Sequence, residues 1–415
     1  MYELRPHQIK FSKLVYNILN EKNIVYLAGE VRSNKTGTAL EAARLFDATK
    51  VLFITKKKAI SSIESDYKAF GFEYDLLVIN YESLHKIDYK PDLIIYDEAH
   101  SLSAYPKPSQ RTKLCKKLFS DIPCILMSGT PAVESYSQLY HQFYVSSFSP
   151  FSRYNNFYKF ANYLVDKKEM KLPTHTVIDY SGAKVSEINT IVKPYFVKMT
   201  QQDAGFESTV TEKIIKIPTP EVLKDMANRL LKDRAIEGAT GFILGDAPAK
   251  LQSKVHQLVN GHCIIERADL STFTKVFSTY KAKYIKGRFK SVKIAVMYYY
   301  QAELDILKEE FGNRITTDIE EFNTTDKNIA LQCLSTEGMN VSKADAIVYY
   351  NLAFSGKAWL QSRDRLTVKG RKNNNVYIIC EDFGLTEKIY KIVSKKGDFN
   401  SKLFNKWHQD NRLNL

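Results

Sequence analysis

Cysteine is scarce and scattered. The five residues, Cys115, Cys124, Cys263, Cys333 and Cys380, are spread through 415 positions with no short pair that could open a zinc site or a redox dithiol. They read as reduced thiols of a cytosolic protein. His256, His262 and Cys263 lie near one another in sequence, but no fourth ligand stands nearby, so zinc is not expected. Long apolar runs are missing as well: the opening MYELRPHQIKF has no apolar signal core, and no stretch reaches the roughly 18 apolar residues of a membrane span. The expectation is a cytoplasmic protein without a membrane partner. Acid is in deficit, 46 Asp and Glu against 60 Lys and Arg, for a formal charge of +14. That balance favours a polyanionic partner, nucleic acid ahead of an anionic membrane. Short repeats and low-complexity tracts are also lacking.

What is present is the composition of a folded chain, 44% hydrophobic and 26% charged. Its length calls for two main domains of roughly 150 residues each, with room for an insertion. Short apolar runs recur through the first third: IVYLA (24–28), VLFIT (51–55), LLVIN (76–80), LIIYDE (93–98) and CILMSGT (124–130). Amphipathic stretches such as GTALEAARLF and AISSIESDYKAFGF separate most of them, which predicts a parallel sheet covered on both faces. Each strand ends in a polar tip, Ser33 to Thr36, Thr55, Asn80, Asp97 with Glu98, and Ser128 to Thr130. The carboxyl edge of such a sheet is where ligands bind, so these tips are expected to converge.

From about 145 to 250 the pattern changes to aromatic helical segments broken by Pro and Gly, with a hairpin expected around 206–217. KIAVMYYY, NIALQCL, DAIVYYN and NVYIICE then read as strands of a second α/β lobe, and LTEKIYKIVSKKGDFNSKLFNKWHQ as one final helix. The expected organisation is a first α/β lobe over 1–145, a mostly helical insertion over 146–258, a second lobe over 259–385 and a helical extension over 386–415.

Two motifs carry chemistry. GEVRSNKT, Gly29 through Thr36, matches the phosphate-loop pattern GxxxxGK[ST] at every fixed position but one, and it lies between a predicted strand and a predicted helix. Backbone N–H groups of that loop would cradle phosphates, Lys35 would reach the β- and γ-phosphates, and the Thr36 hydroxyl would ligate Mg2+. Asn34 stands where the pattern has glycine. Asn tolerates the left-handed backbone conformation best among residues with a side chain, at a cost of about 1 kcal/mol, so binding should weaken rather than vanish. LIIYDEAH supplies Asp97 at a strand end to hold Mg2+ and Glu98 beside it to deprotonate the attacking water.

With these motifs in place the chain resembles a superfamily 2 helicase, and within that superfamily the Swi/Snf-like double-stranded DNA translocases, in a compact DEAH-box form like that of phage-encoded proteins; a host's cytoplasm would then be the location. The resemblance implies two RecA-like P-loop lobes. LRPHQ is similar to the adenine-sensing segment, with Arg5 and Gln8 at the base, and Gly29, Ser33, Asn34, Lys35, Thr36 and Gly37 at the phosphates. TKKKAISS, with Thr55, Lys56 and Lys57, and INYESL, with Asn80 and Tyr81, are similar to segments that touch the nucleic-acid backbone. DEAH and MSGTP are similar to the pair that couples hydrolysis to strand movement, with His100 bridging toward Ser128 and Thr130. PYFVKMTQQDAGFESTVTEKIIKIPTPEVLKDMANRLLKD and KLQSKVHQLVNGHCII resemble stretches found between the lobes of the Swi/Snf-like group, which is the main reason for preferring duplex DNA.

In the second lobe, LSTEGMNVSKADAIVYYN is similar to a motif that would bring Thr336 toward nucleic acid and Gly338 toward the nucleotide. WLQSRDRLTVKGRK is similar to the final helicase motif, with Gln361 and Arg365 at matching positions. Arg365 would then reach across the interlobe cleft as an arginine finger. A second family arginine falls at Val368, a departure for which Arg363, Lys369 and Arg371 are the nearby substitutes. The resemblance therefore implies an ATP- and Mg2+-dependent, DNA-stimulated ATPase. It would act as a monomer and step along duplex or branched DNA without sequence preference, directed by a recruiting protein if any. A strand-separating DNA or RNA helicase and a degenerate ATPase serving as a nucleotide-gated clamp are the alternatives.

Overall fold

The computed structural model describes residues 3–30, 32–132, 135–171, 176–206, 209–335, 339–367, 370–395 and 397–412. The chain divides into two units, Met1–Phe206 and Glu207–Leu415.

In unit 1, β1 (Ile24–Gly29), β2 (Lys50–Thr55), β3 (Asp75–Asn80), β4 (Leu93–Tyr96) and β5 (Cys124–Ser128) form a parallel sheet in the order β3-β2-β4-β5-β1. Alternate side chains of these strands bury on opposite faces. Tyr26, Ile54, Ile94 and Leu126 face one core, and Val25, Leu27, Phe53, Ile95 and Met127 face the other. The helices α1 (Pro6–Lys22), α2 (Lys35–Leu45), α3 (Ile60–Phe70), α4 (Gln110–Phe119), α5 (Gln138–Phe143) and α6 (Phe157–Leu164) flank the sheet. Pro6 opens α1 at the position where its missing N–H costs nothing, and α3 stops at Gly71, whose φ of 72° lets the chain leave the helix.

Residues 146–258 carry helices and strands and are shared between the units. A two-stranded ribbon, β6 (Lys168–Lys171) with β7 (Thr176–Asp179), is followed by β8 (Phe196–Met199), which adds parallel to β1 at the edge of the first sheet. The stretch expected as a hairpin around 206–217 is instead one straight strand, β9 (Thr209–Ile217), over its described residues, and it pairs parallel with β18 (Asn373–Glu381) along its full length. No turn residue interrupts TVTEKIIKI, so nothing folds it back on itself. An antiparallel sheet of β10 (Ala235–Gly238), β11 (Gly241–Leu244), β12 (His262–Glu266) and β13 (Thr272–Val276) comes next in the chain.

Unit 2 is built on β14 (Ile294–Tyr298), β15 (Ile315–Thr316), β16 (Asn328–Gln332) and β17 (Ala346–Tyr349), in the order β15-β16-β14-β17-β18-β9 with every pairing parallel. Two six-stranded parallel sheets with flanking helices are the expected pair of RecA-like lobes. The final segment, expected as one helix, forms two, Leu385–Val393 and Ser401–Arg412. Between them the Gly397 N–H returns to the Ile392 carbonyl at 3.1 Å, the Asp398 carboxylate accepts the Gly356 N–H at 2.7 Å, and Phe399 is buried. All five cysteines are buried and unpaired, and no helix among the described residues is long and apolar enough to cross a membrane.

Candidate active site

The carboxyl tips of β1, β4 and β5 meet around the Lys35 ammonium. β1 ends at Gly29 and α2 starts at Lys35, so the helix presents its unsatisfied N–H groups to the loop between them. Asn34 sits at φ 59°, ψ 45°, in the left-handed region, and its side chain makes no capping bond, so the residue contributes backbone conformation rather than a contact. The Lys35 stem lies directly over Gly29, where a Cβ would come 2.5 Å from Lys35 Cγ and 2.7 Å from Ser33 Oγ. Lys35 Nζ donates to the Gly29 carbonyl at 2.9 Å and to that of Glu30 at 3.3 Å. From the tip of β5, a Cβ on Gly129 would stand 3.8 Å from the same ammonium. The loop is anchored from the edge strand: the Glu30 N–H donates to the Met199 carbonyl at 2.9 Å, and the Gln201 N–H to the Glu30 carboxylate at 2.7 Å.

Gln8 is buried beside this loop. Its Oε1 accepts the Arg5 N–H at 2.9 Å, which fixes the amide's orientation, and its Nε2 lies 2.4 Å from where a Cβ on Gly37 would sit. That Nε2 has no hydrogen-bond partner among the described residues. A buried donor left this way costs about 1–3 kcal/mol, which an acceptor on an incoming purine ring would recover. The Arg5 side chain is exposed at the start of α1, and Thr36 is half-buried on the first turn of α2.

Asp97 and Glu98 come directly after β4. Thr55, at the end of the neighbouring β2, donates its hydroxyl to Asp97 Oδ2 at 2.7 Å, and the Tyr81 hydroxyl donates to the Asp97 carbonyl at 2.7 Å. Burial and the adjacent Glu98 charge push the Asp97 carboxyl up, against the Thr55 hydrogen bond and Lys35, which pull it down. Glu98 behaves oppositely. Burial would raise it, but the hydrogen bond and charge of His100, with Lys35 and Lys56 beyond, hold it below the ordinary carboxylate range. Its backbone is at φ 48°, a left-handed conformation rare for a residue with a side chain and a local strain of order 1–3 kcal/mol. His100 Nδ1 is 3.0 Å from Glu98 Oε2 and 2.9 Å from Ser128 Oγ, and Ser128 Oγ also accepts the Thr130 N–H at 3.0 Å. His100 Nε2 is buried with no hydrogen-bond partner among the described residues.

These residues fit a magnesium-bound nucleoside triphosphate: a lysine between two glycine-bearing loops, a helix N-terminus, one carboxylate backed by a hydroxyl, and an orphaned amide donor. No group of three or more His, Cys, Asp or Glu among the described residues is arranged to hold a metal ion by itself. Magnesium needs none, since it takes one or two carboxylates and completes its shell with phosphate and water.

The expected nucleic-acid contacts divide. Lys57 is exposed, and Lys56, Asn80 and Thr130 are half-buried at the strand tips, with Asn80 Oδ1 accepting the Ser83 N–H at 2.8 Å. Thr55, Tyr81 and Ser128 are buried at 0%, 3% and 0% exposure. Their hydroxyls are committed to Asp97 and His100, so they hold the acidic pair rather than face a polyanion. Sequence alone does not show that role, because it depends on β2 and β5 lying on either side of β4.

In unit 2, Gln361 is half-buried on the helix Gly356–Arg363, and Arg365 is 8% exposed on the adjoining turn Asp364–Leu366. Of the nearby substitutes for a second arginine, Arg363 and Arg371 are engaged elsewhere. Arg363 pairs with Glu212 at 2.8 Å and Asp364 at 3.1 Å. Arg371 Nη1 donates to the Ser342 and Ala344 carbonyls at 3.2 and 2.7 Å, and its Nη2 to that of Asp345 at 2.7 Å. Thr336, Gly338, Val368 and Lys369 lie outside the described residues. His256 and His262 are buried, the first with Nδ1 3.1 Å from the Tyr300 hydroxyl and the second 3.5 Å from the Glu303 carboxylate.

No protein-family model and no curated protein matches the chain. Among solved structures, it is similar to the SWI2/SNF2 ATPase core of Sulfolobus solfataricus in complex with dsDNA, at 17% identity over 95% of this chain and 91% of that one with a TM-score of 0.43. The same core without the complex aligns at 15% identity over 94% and 88%, with a TM-score of 0.41. The Hef helicase domain of Pyrococcus furiosus aligns at 12% identity over 94% of this chain and 99% of that one, with a TM-score of 0.50. The last of these likenesses bears on fold, and agrees with two RecA-like units in one chain.

Proposed function

We propose that the chain is a nucleic-acid-dependent ATP hydrolase that moves along duplex or branched DNA, a monomeric Swi/Snf-like translocase of compact, phage-type DEAH-box form. The observation that carries this reading is the gathering of Gly29, Gly129 and the Asp97–Glu98 pair around the Lys35 ammonium. Asp97 and Thr36 would hold magnesium, which would neutralise charge at the phosphates. Lys35 and the α2 N-terminus bind and orient the β- and γ-phosphates, and Gln8 fixes the base. Glu98, kept ionised by His100, takes a proton from the attacking water as its oxygen bonds to the γ-phosphorus and the bond to the ADP oxygen breaks. Arg365, aided by Gln361, stabilises the charge that develops there, and Gly338 borders the nucleotide. Lys56, Lys57, Asn80, Thr130 and Thr336 grip the DNA backbone, which makes binding salt-sensitive and indifferent to sequence.

The clamp alternative rests on Asn34 and on Val368, the latter outside the described residues. The left-handed backbone of Asn34 supplies the conformation that the glycine position requires, which favours turnover. Triplex displacement tests the motor directly: a third strand should be stripped from a duplex in an ATP-dependent way while a blunt duplex stays intact. Unwinding of a forked duplex without triplex displacement would replace translocation with strand separation.

A further inference from the structure

Unit 1 has a cavity-bearing surface at the amino end of β5, opposite the strand tips around Lys35. The last turn of α4 leads into β5 at Cys124, and the loop after α5 is tied there by the Ser147 N–H and hydroxyl, which donate to the Ser120 carbonyl at 2.8 and 3.0 Å. The five residues of β5, about 16 Å of strand, separate this end from Ser128. Two adjoining cavities open here, of about 410 and 200 Å³, sharing Tyr154 and Asn155. Arg153, Lys159 and Tyr163 complete the larger, and Lys116 and Tyr144 stand in the smaller. Among the described residues three cations border them, and no carboxylate does.

The aromatic rings are placed for contact. Tyr154 is held from behind by the Tyr140 hydroxyl, which donates to its carbonyl at 3.0 Å, and by an edge-on contact with Phe160. Arg153 lies 4.8 Å over the Tyr154 ring and donates to its hydroxyl at 2.6 Å. Tyr163, 6.0 Å from Tyr154 between centroids, is 66% exposed, an unusual position for so large a ring. Lys116 Nζ sits 3.5 Å from the Tyr144 ring centre, forms no ion pair among the described residues, and is pushed down by burial. The exposed Tyr163 ring, with the half-buried Tyr154 next to it and three cations that form no ion pair with a carboxylate among the described residues, forms a stacking platform with a phosphate track. A duplex would keep its base faces stacked away from these rings, and an acidic peptide would answer the cations but leave the rings uncovered.

We propose that these cavities bind a short stretch of single-stranded nucleic acid, with bases stacked on Tyr154 and Tyr163 and phosphates at Lys116, Arg153 and Lys159. The site stands apart from the nucleotide reading and does not depend on it.

The test is photocrosslinking of the full chain to oligo(dT) and oligo(U) twelve-mers carrying 5-iodouracil, with the linked peptides mapped by mass spectrometry, alongside binding by anisotropy. Crosslinks should fall within residues 153–163 and persist in Lys35→Ala, whose nucleotide site is impaired. Tyr163→Ala should weaken oligonucleotide binding about ten-fold, Tyr163→Trp should restore it, and Lys159→Glu should lower it further. A preference for one sugar would assign the site to DNA or to RNA within the same chemistry. Crosslinks confined to residues 55–58, 80–82 and 128–130 with unchanged affinity in Tyr163→Ala would overturn the proposal, as would displacement of the oligonucleotide from this site by blunt duplex or poly-glutamate as readily as by oligo(dT).

Discussion

The imidazole of His100 stands 3.0 Å from the Glu98 carboxylate, and the same nitrogen is 2.9 Å from Ser128. One ring thus joins the acid at the end of β4 to the tip of β5. That link helps hold the half-buried Glu98 carboxyl below the ordinary carboxylate range, and a movement of the 128–130 loop would be felt at it.

Removing the acid and removing the link should differ. Glu98→Gln should lower ATP turnover by about 10²–10⁴-fold while leaving nucleotide affinity within a few-fold of the parent. His100→Ala should cost about ten-fold in DNA-stimulated turnover and less in basal turnover, because the acid remains but its coupling to Ser128 is lost. Steady-state kinetics with and without DNA, beside calorimetric ATP binding, read both.

Gly29→Ala places a methyl where the Lys35 stem runs, so the lysine must leave its position. Nucleotide affinity should fall at least about ten-fold while the melting temperature changes by only a few degrees. Lys35→Ala should give the same loss of affinity by removing the ammonium itself.

Asn34 takes a left-handed conformation without using its side chain. Asn34→Gly should therefore keep or slightly tighten nucleotide binding. Asn34→Val, whose branched side chain resists positive φ, should cost more than about 1 kcal/mol in stability and weaken binding several-fold. Thermal melts and nucleotide titrations of the two variants should move in opposite directions.

Much of this arrangement was legible in sequence. The runs around Val25, Phe53, Val78, Ile95 and Ile125 are apolar on both faces, as central parallel strands must be, and their polar ends mark the ligand edge without any knowledge of strand order. What escaped was whatever depends on a distant partner. Phe196–Met199 and Thr209–Ile217 read as helix and hairpin, yet each is an edge strand whose place is set by pairing with β1 or β18. The same ignorance of neighbours made Thr55, Tyr81 and Ser128 look like nucleic-acid contacts. Their hydroxyls are claimed by Asp97 and His100, which follow β4.

His141 offers a pH test of unit 1. Burial pushes it down to about 4 from 6.5, helped by Lys116, while the Ala104 carbonyl bonded to Nδ1 at 2.6 Å opposes the shift. Between pH 6.5 and 4 the unfolded chain binds a proton that the folded chain refuses. This contribution to stability is therefore whole above pH 6.5 and is lost as pH falls through that window, up to about 3 kcal/mol. In urea titrations from pH 7.5 to 4.5, the parent should lose more stability than His141→Gln by about that amount.

Arg371 donates to the carbonyls of Ser342, Ala344 and Asp345. Arg371→Ala should destabilise unit 2 by about 1–3 kcal/mol in chemical denaturation and leave the ATP turnover of the folded fraction unchanged. Arg365→Ala should lower the turnover of the folded fraction by about 10³-fold.

The most direct test of the central claim is ATP turnover by the full chain with and without duplex DNA, in the parent and in Lys35→Ala. Turnover that rises about ten-fold or more with duplex and disappears in the variant is the predicted result. A parent protein that binds ATP and magnesium yet releases no phosphate, with or without DNA, would contradict it.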